Sequence, residues 1–292
     1  MTRRARLLTA AGYVALFVAV FYVSLVLAFP VDALRRMLAA NVEASTPLTL
    51  AIGSLSLGWD GDLSARQVVL GWPRAGRTLP VFAADRVDVD VALLPAAFGR
   101  LEARFDGDAY GGRFDGRLAG PRDGPAETVL VALDRLDLAR HAGLAGAARV
   151  VVAGLLSGEL RLSGAAATRR TGYIHLRVES GSVRELPMIA ASLPEVGVER
   201  ATVSARLDRD RLEVESVEVR GPELTLTGSG QIGLREPADA STLNLTFRLR
   251  PEQRFPPTLR RLLGVVARAP DASGAFGFVV LGTLARPEVR PL

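Results

Sequence analysis

Two histidines, His141 and His175, no cysteine and no lysine confine the chemistry open to this chain before any fold is considered. A structural zinc site needs four closely spaced nitrogen or sulfur ligands, and here each histidine stands without a second ligand at such a spacing. His175 lies between Ile174 and Leu176, where a strand turns it to the polar face, so an exposed structural histidine is the expected role. Without cysteine there is no disulfide, thiolate metal site or thiol nucleophile. Asp88 and Asp90 share a strand face with Arg86, a pattern that suits the solvated side of a half-buried strand as well as a cation site. In FDGDAYGG, Asp106 and Asp108 resemble the opening of a calcium loop, but the later oxygen ligands and the terminal glutamate are missing. Glu195 and Glu199 have no evident partner carboxylate. No serine sits in a G-x-S-x-G elbow, and without lysine a phosphate-cradling loop ending in Gly-Lys-Ser/Thr cannot form. The expectation is a non-enzymatic protein with no catalytic residue, no metal ligand, no cofactor and no small-molecule substrate.

The basic residues point the same way. All 36 are arginine, and the formal net charge is +5. Arg3, Arg4 and Arg6 supply part of that excess. The remainder are dispersed among acids rather than gathered on one stripe, so nucleic acid is not an expected partner.

Stepping outward from these residues, the first element that could position them is an uncharged run from Leu7 to Phe29, preceded by Arg3, Arg4 and Arg6. At about 1.5 Å per residue it spans a hydrocarbon core of roughly 30 Å as one helix. Leu7, Leu16, Phe17, Phe21 and Phe29 mark the anchor, and the arginines before it hold the N-terminus in the cytoplasm. A cleavable signal peptide is the competing reading, with Val26 and Ala28 at the small-residue positions, but the run exceeds the usual apolar region of roughly 7 to 15 residues. Ala11, Ala15 and Ala19 share one helical face, a spacing that permits close helix approach, although an alanine-rich composition explains it equally simply. The expected location is a single-pass protein of the bacterial inner membrane, with its C-terminal domain in the periplasm.

Leu34, Leu38 and Val42 then recur every four residues, with Met37 beside them, as a short amphipathic helix. From Leu48 the period changes to two. Val87, Val89 and Val91 alternate, as do Val129, Val131 and Leu133, then Ile174, Leu176 and Val178. Residues 201–220 read as a hairpin around DRDR, and Leu243, Leu245, Phe247 and Leu249 share one face of a later strand. Short helical passages are expected at Leu93–Phe98, Leu136–Gly146, Pro187–Val196 and Thr258–Arg268. The predicted fold is mainly β: residues 1–30 a cytoplasmic stub and transmembrane helix, 31–46 a juxtamembrane helix, and 47–292 a long curved antiparallel sheet. Val87, Val89, Val91, Leu243, Leu245 and Phe247 are its candidate apolar face. That face becomes an ordinary core if the chain folds over itself or the 258–268 helix caps it, and a lipid groove if it stays open.

Glycine recurs within the strands, in YGGRFDGRLAG, LLSGELRLSG, LTLTGSGQIGL and SGAFGFVVLGTL. Glycine weakens a strand interior unless it marks a bulge, a bend or a close approach. The repetition therefore predicts a long sheet that twists and bends, although a chain with 29 glycines also yields such strings by chance.

The order of these features resembles a family. A basic start and one membrane helix lead into FPVDALRRML, TLAIGSLSLGWDGDLSARQVVLG, YGGRFDGRL, RLEVESVEVRGPELTLTGSGQIGL and a closing GFVVLGTLARPEV. Together they look like type II secretion system protein N of delta-proteobacterial type, and the layout is similar to the wider AsmA-like class of envelope proteins. The resemblance spans nearly the whole chain and lies in the order, not in any one motif. It implies an accessory of the protein secretion machinery that scaffolds or assembles it through contacts with inner-membrane platform proteins. The AsmA-like likeness implies instead a curved sheet whose apolar concave face holds acyl chains, with membrane lipid as partner.

Overall fold

A computed structural model describes residues 31–45, 48–58, 62–74, 77–92, 95, 98–121, 124, 126–141, 151–164, 170–184, 195–235, 240–257, 260, 263 and 269–292. The membrane run with its flanking arginines lies outside these residues, as do most of the helical passages expected at 93–98, 187–196 and 258–268. Among the described residues no helix is long and apolar enough to cross a membrane.

One helix precedes the sheet: α1, Val31–Ser45. Fourteen strands follow: β1 Thr49–Leu57, β2 Leu63–Arg74, β3 Arg77–Val91, β4 Arg100–Ala109, β5 Gly112–Pro121, β6 Thr128–Asp137 and β7 Val151–Ser163. The series continues with β8 Thr171–Arg184, β9 Val196–Asp208, β10 Arg211–Arg220, β11 Leu224–Gly233, β12 Thr242–Pro251, β13 Phe276–Thr283 and β14 Arg286–Pro291. They form a single antiparallel sheet in strict sequence order from β1 to β14. Each strand hydrogen-bonds only its chain neighbours, the simplest connectivity for hairpins joined end to end. With strands about 4.8 Å apart the sheet extends roughly 60 Å across its strands. A twisted open sheet of this size curls instead of staying flat.

The alternation that predicts the strands also predicts one apolar face, and the register carries it across the whole sheet. Residues directly opposite in an antiparallel pair lie on the same face. Val89 pairs with Phe105, Phe105 with Gly116, Gly116 with Val131, and Val131 with Leu160. Leu160 continues to Ile174, Ala205, Val214, Gly230, Leu245 and Val280. The opposite face carries Arg86, Asp88, Asp106, Asp115, His175 and their like.

Keeping one face apolar over long strands requires local corrections of phase. On β1 the apolar series runs Leu50, Ile52, then Leu55, Leu57. A matching three-residue step separates Ala65 from Val68 on β2 and Ala84 from Val87 on β3. The three steps are aligned, because Ile52 pairs with Val68 and Val68 with Ala84, while Leu55 pairs with Ala65 and Ala65 with Val87. Gln67 takes up the turn in a left-handed conformation, φ 53°. Gly53 lies opposite, where a Cβ would approach Gln67 Oε1 to 2.6 Å.

The two ends of the sheet differ. Against β1 packs α1, which is seated on the first strand. Arg35 there donates to the Gly53 carbonyl at 3.4 Å. Leu34, Leu38 and Val42 are half-buried, whereas Met37 is 54% exposed and lies off the packed stripe. At the far end, β14 is exposed along its length.

The helical passage expected at Leu136–Gly146 is corrected at its start: the strand β6 continues through Asp137, a 3-10 turn follows at Leu138–Arg140, and residues 142–146 lie outside the described residues. Leu136 pairs with Leu156 and is 3% exposed, so burial in the ladder overrides the helical spacing. Asp137 caps the turn by accepting from the Ala139 N–H at 3.0 Å.

The turn into β13 is built on Asp271, whose carboxylate accepts from the N–H groups of Ser273 at 2.8 Å and Ala275 at 3.1 Å and from the Ser273 hydroxyl. Those hydrogen bonds, the Ser273 hydroxyl first, hold its carboxyl below the usual range. A depressed carboxyl stabilises the fold fully above the unfolded value, about 3.9, and that contribution is lost as pH falls through the folded value. Thermal unfolding measured on acidification below about pH 4 should therefore fall more steeply for the parent protein than for Asp271→Ala. Parallel curves would show that the turn draws nothing from this carboxylate.

Candidate functional site

The apolar face is the feature that chemistry must explain. Its side chains are mostly half-buried, and among the described residues no large side chain is less than 2% exposed. The well-buried apolar residues are six alanines, Ala65, Ala84, Ala103, Ala109, Ala205 and Ala275, and seven larger side chains, among them Phe114, Leu136, Leu207, Val214 and Leu243. A sheet closed against a second layer buries its large aliphatic side chains fully. Here they line a trough instead.

Within that trough β3 to β7 form the most enclosed part. Phe82, Phe105, Tyr110 and Phe114 make a continuous aromatic floor. Phe82 meets Phe114 edge to face at 5.5 Å and Tyr110 at 5.9 Å. Phe82 and Phe114 stand two strands apart, about 9.6 Å on a flat sheet, so the rings converge over a concave surface. The rings are seated by glycine. The triplet Phe-Asp-Gly occurs at 105–107 and again at 114–116, and the hairpin pairs each phenylalanine with the other's glycine. A Cβ at Gly107 would run into the Arg86 carbonyl oxygen and come 2.8 Å from the Phe114 ring. At Gly116 it would strike the Phe105 ring and the Leu130 carbonyl oxygen. Gly228 stands in the same relation to Phe247 on β12. At these three positions an aromatic ring lies across the strand that lacks a side chain, whereas Gly233 and Gly277 of the repeat pair with Thr242 and Arg248 on the opposite face.

Tyr110 and Gly111 form the two-residue turn between β4 and β5, both left-handed at φ 53° and 77°, as a type I′ turn demands. That conformation is uncommon for tyrosine; its ring is half-buried among the floor residues. The phenol oxygen accepts from the Ala83 N–H at 2.7 Å, and burial raises the phenol above its ordinary value. His141 stacks on the Tyr110 ring at 5.0 Å, and its Nε2 donates to the Val81 carbonyl at 2.8 Å. The histidine is therefore half-buried and held by packing. Together these residues enclose a cavity of about 380 Å³, walled also by Val131, Leu133, Leu136, Leu138 and Leu156.

The other sequence candidates are placed as follows. Val87, Val89 and Val91 lie on the trough face of β3, and Leu243, Leu245 and Phe247 on the trough face of β12, joined by the register described above. They are not adjacent; eight strands lie between them. His175 is exposed on the polar face, with Nδ1 3.0 Å from Ser204 Oγ. Asp106 and Asp108 lie within β4, not in a loop, which removes the calcium-loop geometry. Asp88 pairs with Arg86 at 2.7 Å and accepts from the Ser64 hydroxyl. Burial acts to raise its carboxyl, but these partners together leave it below the usual range. Glu195, for which the sequence shows no partner carboxylate, pairs with Arg184 at 2.7 Å. Among the described residues no group of three histidines or carboxylates is placed to hold a metal ion.

Phe82, Phe105, Tyr110 and Phe114 were not singled out from sequence. The mirrored Phe-Asp-Gly triplets about YGG were the available signal, since a two-residue turn at 110–111 brings them into reciprocal register. The fold and face define a class by geometry: an open antiparallel sheet with one continuous apolar trough. Comparison of the chain with protein-family models, with curated proteins and with solved structures finds no match in any of the three.

Proposed function

We propose that this protein is a non-enzymatic component of the bacterial envelope, anchored in the inner membrane by residues 7–29, whose periplasmic β-trough holds the acyl chains of membrane lipid. One observation carries the reading: an apolar face runs from β1 to β14 while most of its large side chains stay half-buried. Exposed apolar surface on this scale demands an apolar occupant. A tethered trough roughly 60 Å long has hydrocarbon as its nearest such material. Polar metabolites fit poorly, because the face offers few unengaged polar groups to offset their desolvation.

The test is lipid copurification. Gently extracted protein is expected to carry phospholipid, and Val89→Asp or Leu245→Asp should remove most of it while the far-ultraviolet dichroism of the sheet is retained. Each carboxylate would face the hydrocarbon unpaired, a severe cost for the bound state. Folded variants that retain lipid at the parent level would overturn the reading.

The motif order that resembles type II secretion protein N favours a second reading, assembly or scaffolding of that secretion system through its inner-membrane platform proteins. Its signature is distinct: deletion leaves secreted enzymes in the periplasm with envelope lipid composition unchanged. Normal secretion in the deletion strain would remove it.

A further inference from the structure

We infer that the cavity beneath His141 is a terminus pocket, which receives the methyl end of a single unbranched acyl chain lying in the trough. The inference rests on the lipid-holding reading and assigns a direction to it. Three observations converge on this pocket. The first is its size, about 380 Å³, within the range of small-molecule sites. The second is the state of its two polar residues. Tyr110 Oη is engaged by the Ala83 N–H, and His141 Nε2 by the Val81 carbonyl. With both polar atoms held at the backbone, the lining that faces the cavity is nearly all hydrocarbon, which offers a headgroup or a carboxylate far less than it offers an acyl chain. Water fares no better there, since an apolar cavity without polar partners does not retain it.

The third observation is closure. The 3-10 turn after β6 crosses back toward β3, where His141 meets Val81 across three intervening strand spacings. On a flat sheet those spacings amount to about 14 Å. The 3-10 turn and the His141 ring stacked on Tyr110 therefore stand as a wall of the trough at this point and form the barrier. An extended chain running along the trough from β14 toward β3 meets that barrier end-on. Only its non-polar end can be left there without an unpaired charge.

Photolabelling of the full chain in phosphatidylcholine vesicles tests this. Two probes carry a diazirine on the terminal carbon, one a free hexadecanoic acid and the other a diacyl phospholipid; a third carries it next to the carboxyl. Peptide mapping should place terminal-carbon adducts on Val131, Leu133, Leu138 and Leu156, and carboxyl-end adducts elsewhere. The free acid and the phospholipid arms report which source supplies the chain. Leu138→Trp, on the turn and outside the ladder, should weaken terminal-carbon labelling roughly tenfold, the equivalent of displacing about two buried methylenes. Terminal-carbon adducts spread over β9–β13 would overturn the pocket while leaving the lipid reading intact. No adduct from any probe would overturn both.

Discussion

Gly116→Val is expected to destabilise the sheet by about 3 kcal/mol, at the upper end of what overpacking a buried site costs. The new side chain has two obstacles, the Phe105 ring and the Leu130 carbonyl oxygen. The ring can swing away only by giving up its place on the aromatic floor; the carbonyl belongs to the β5–β6 ladder and is less free to move. Urea unfolding followed by the strand dichroism reads the loss. Phe105→Ala separates the two obstacles. In the double variant the ring clash is gone, so the two changes should be non-additive by at least about 1 kcal/mol. Strict additivity would mean that the ring and the glycine do not share one space, and an unchanged midpoint for Gly116→Val would discard the seating of aromatic rings on glycine altogether.

The second large effect concerns association. Leu292 N–H donates to the Gly277 carbonyl at 3.0 Å. Antiparallel pairing alternates, so the N–H groups of Arg290, Glu288 and Arg286 also face β13, and positions 287, 289 and 291 face the outer edge. Two of those three positions are proline. Pro287 and Pro291 have no N–H to offer, and the outer edge of β14 keeps Val289 as its one outward donor between residues 286 and 291. An exposed strand edge templates pairing with another chain, and proline at outward positions blocks it. Replacing both residues by threonine restores two donors on a strand that already presents Val289. Light scattering after size exclusion should show the double variant as dimers and larger species at concentrations where the parent does not associate. Equal masses would show that the edge is protected by something other than its missing donors.

These effects also explain why a glycine-rich chain without cysteine can hold so wide a sheet. A curled sheet crowds its concave face, because side chains on the inside of the curve converge. Alanine and glycine at alternating positions relieve that crowding, and large residues opposite them use the space. Gly158 stands between Leu133 and Leu176, and Gly230 between Val214 and Leu245, in the same manner as Gly116 between Phe105 and Val131. Stability is then distributed along the ladder instead of residing in one compact core, and each hairpin contributes its own pair contacts.

Much of this architecture was legible in the residues. Alternation at 87–91, 129–133, 174–178 and 243–249 determined the strands and their apolar side, because the pleat turns successive side chains to opposite faces. The four-residue recurrence of Leu34, Leu38 and Val42 determined α1, and DRDR the hairpin at 201–220. Other features depend on which residues face one another, and local periodicity holds no record of partners. The phase steps of β1, β2 and β3 are each a defect in one strand's pattern; only their alignment at Ile52, Val68 and Ala84 makes them a device that keeps one face continuous. Leu136 fits a helical spacing locally, but pairing with Leu156 buries it in a strand. His141 is a lone histidine in the sequence and becomes a barrier because the turn after β6 carries it to Val81. Above all, tertiary structure decided that, among the described residues, the apolar face stays a trough. Amphipathic strands specify that a face must be covered, and among the described residues no strand doubles back over it, because all fourteen follow one another side by side.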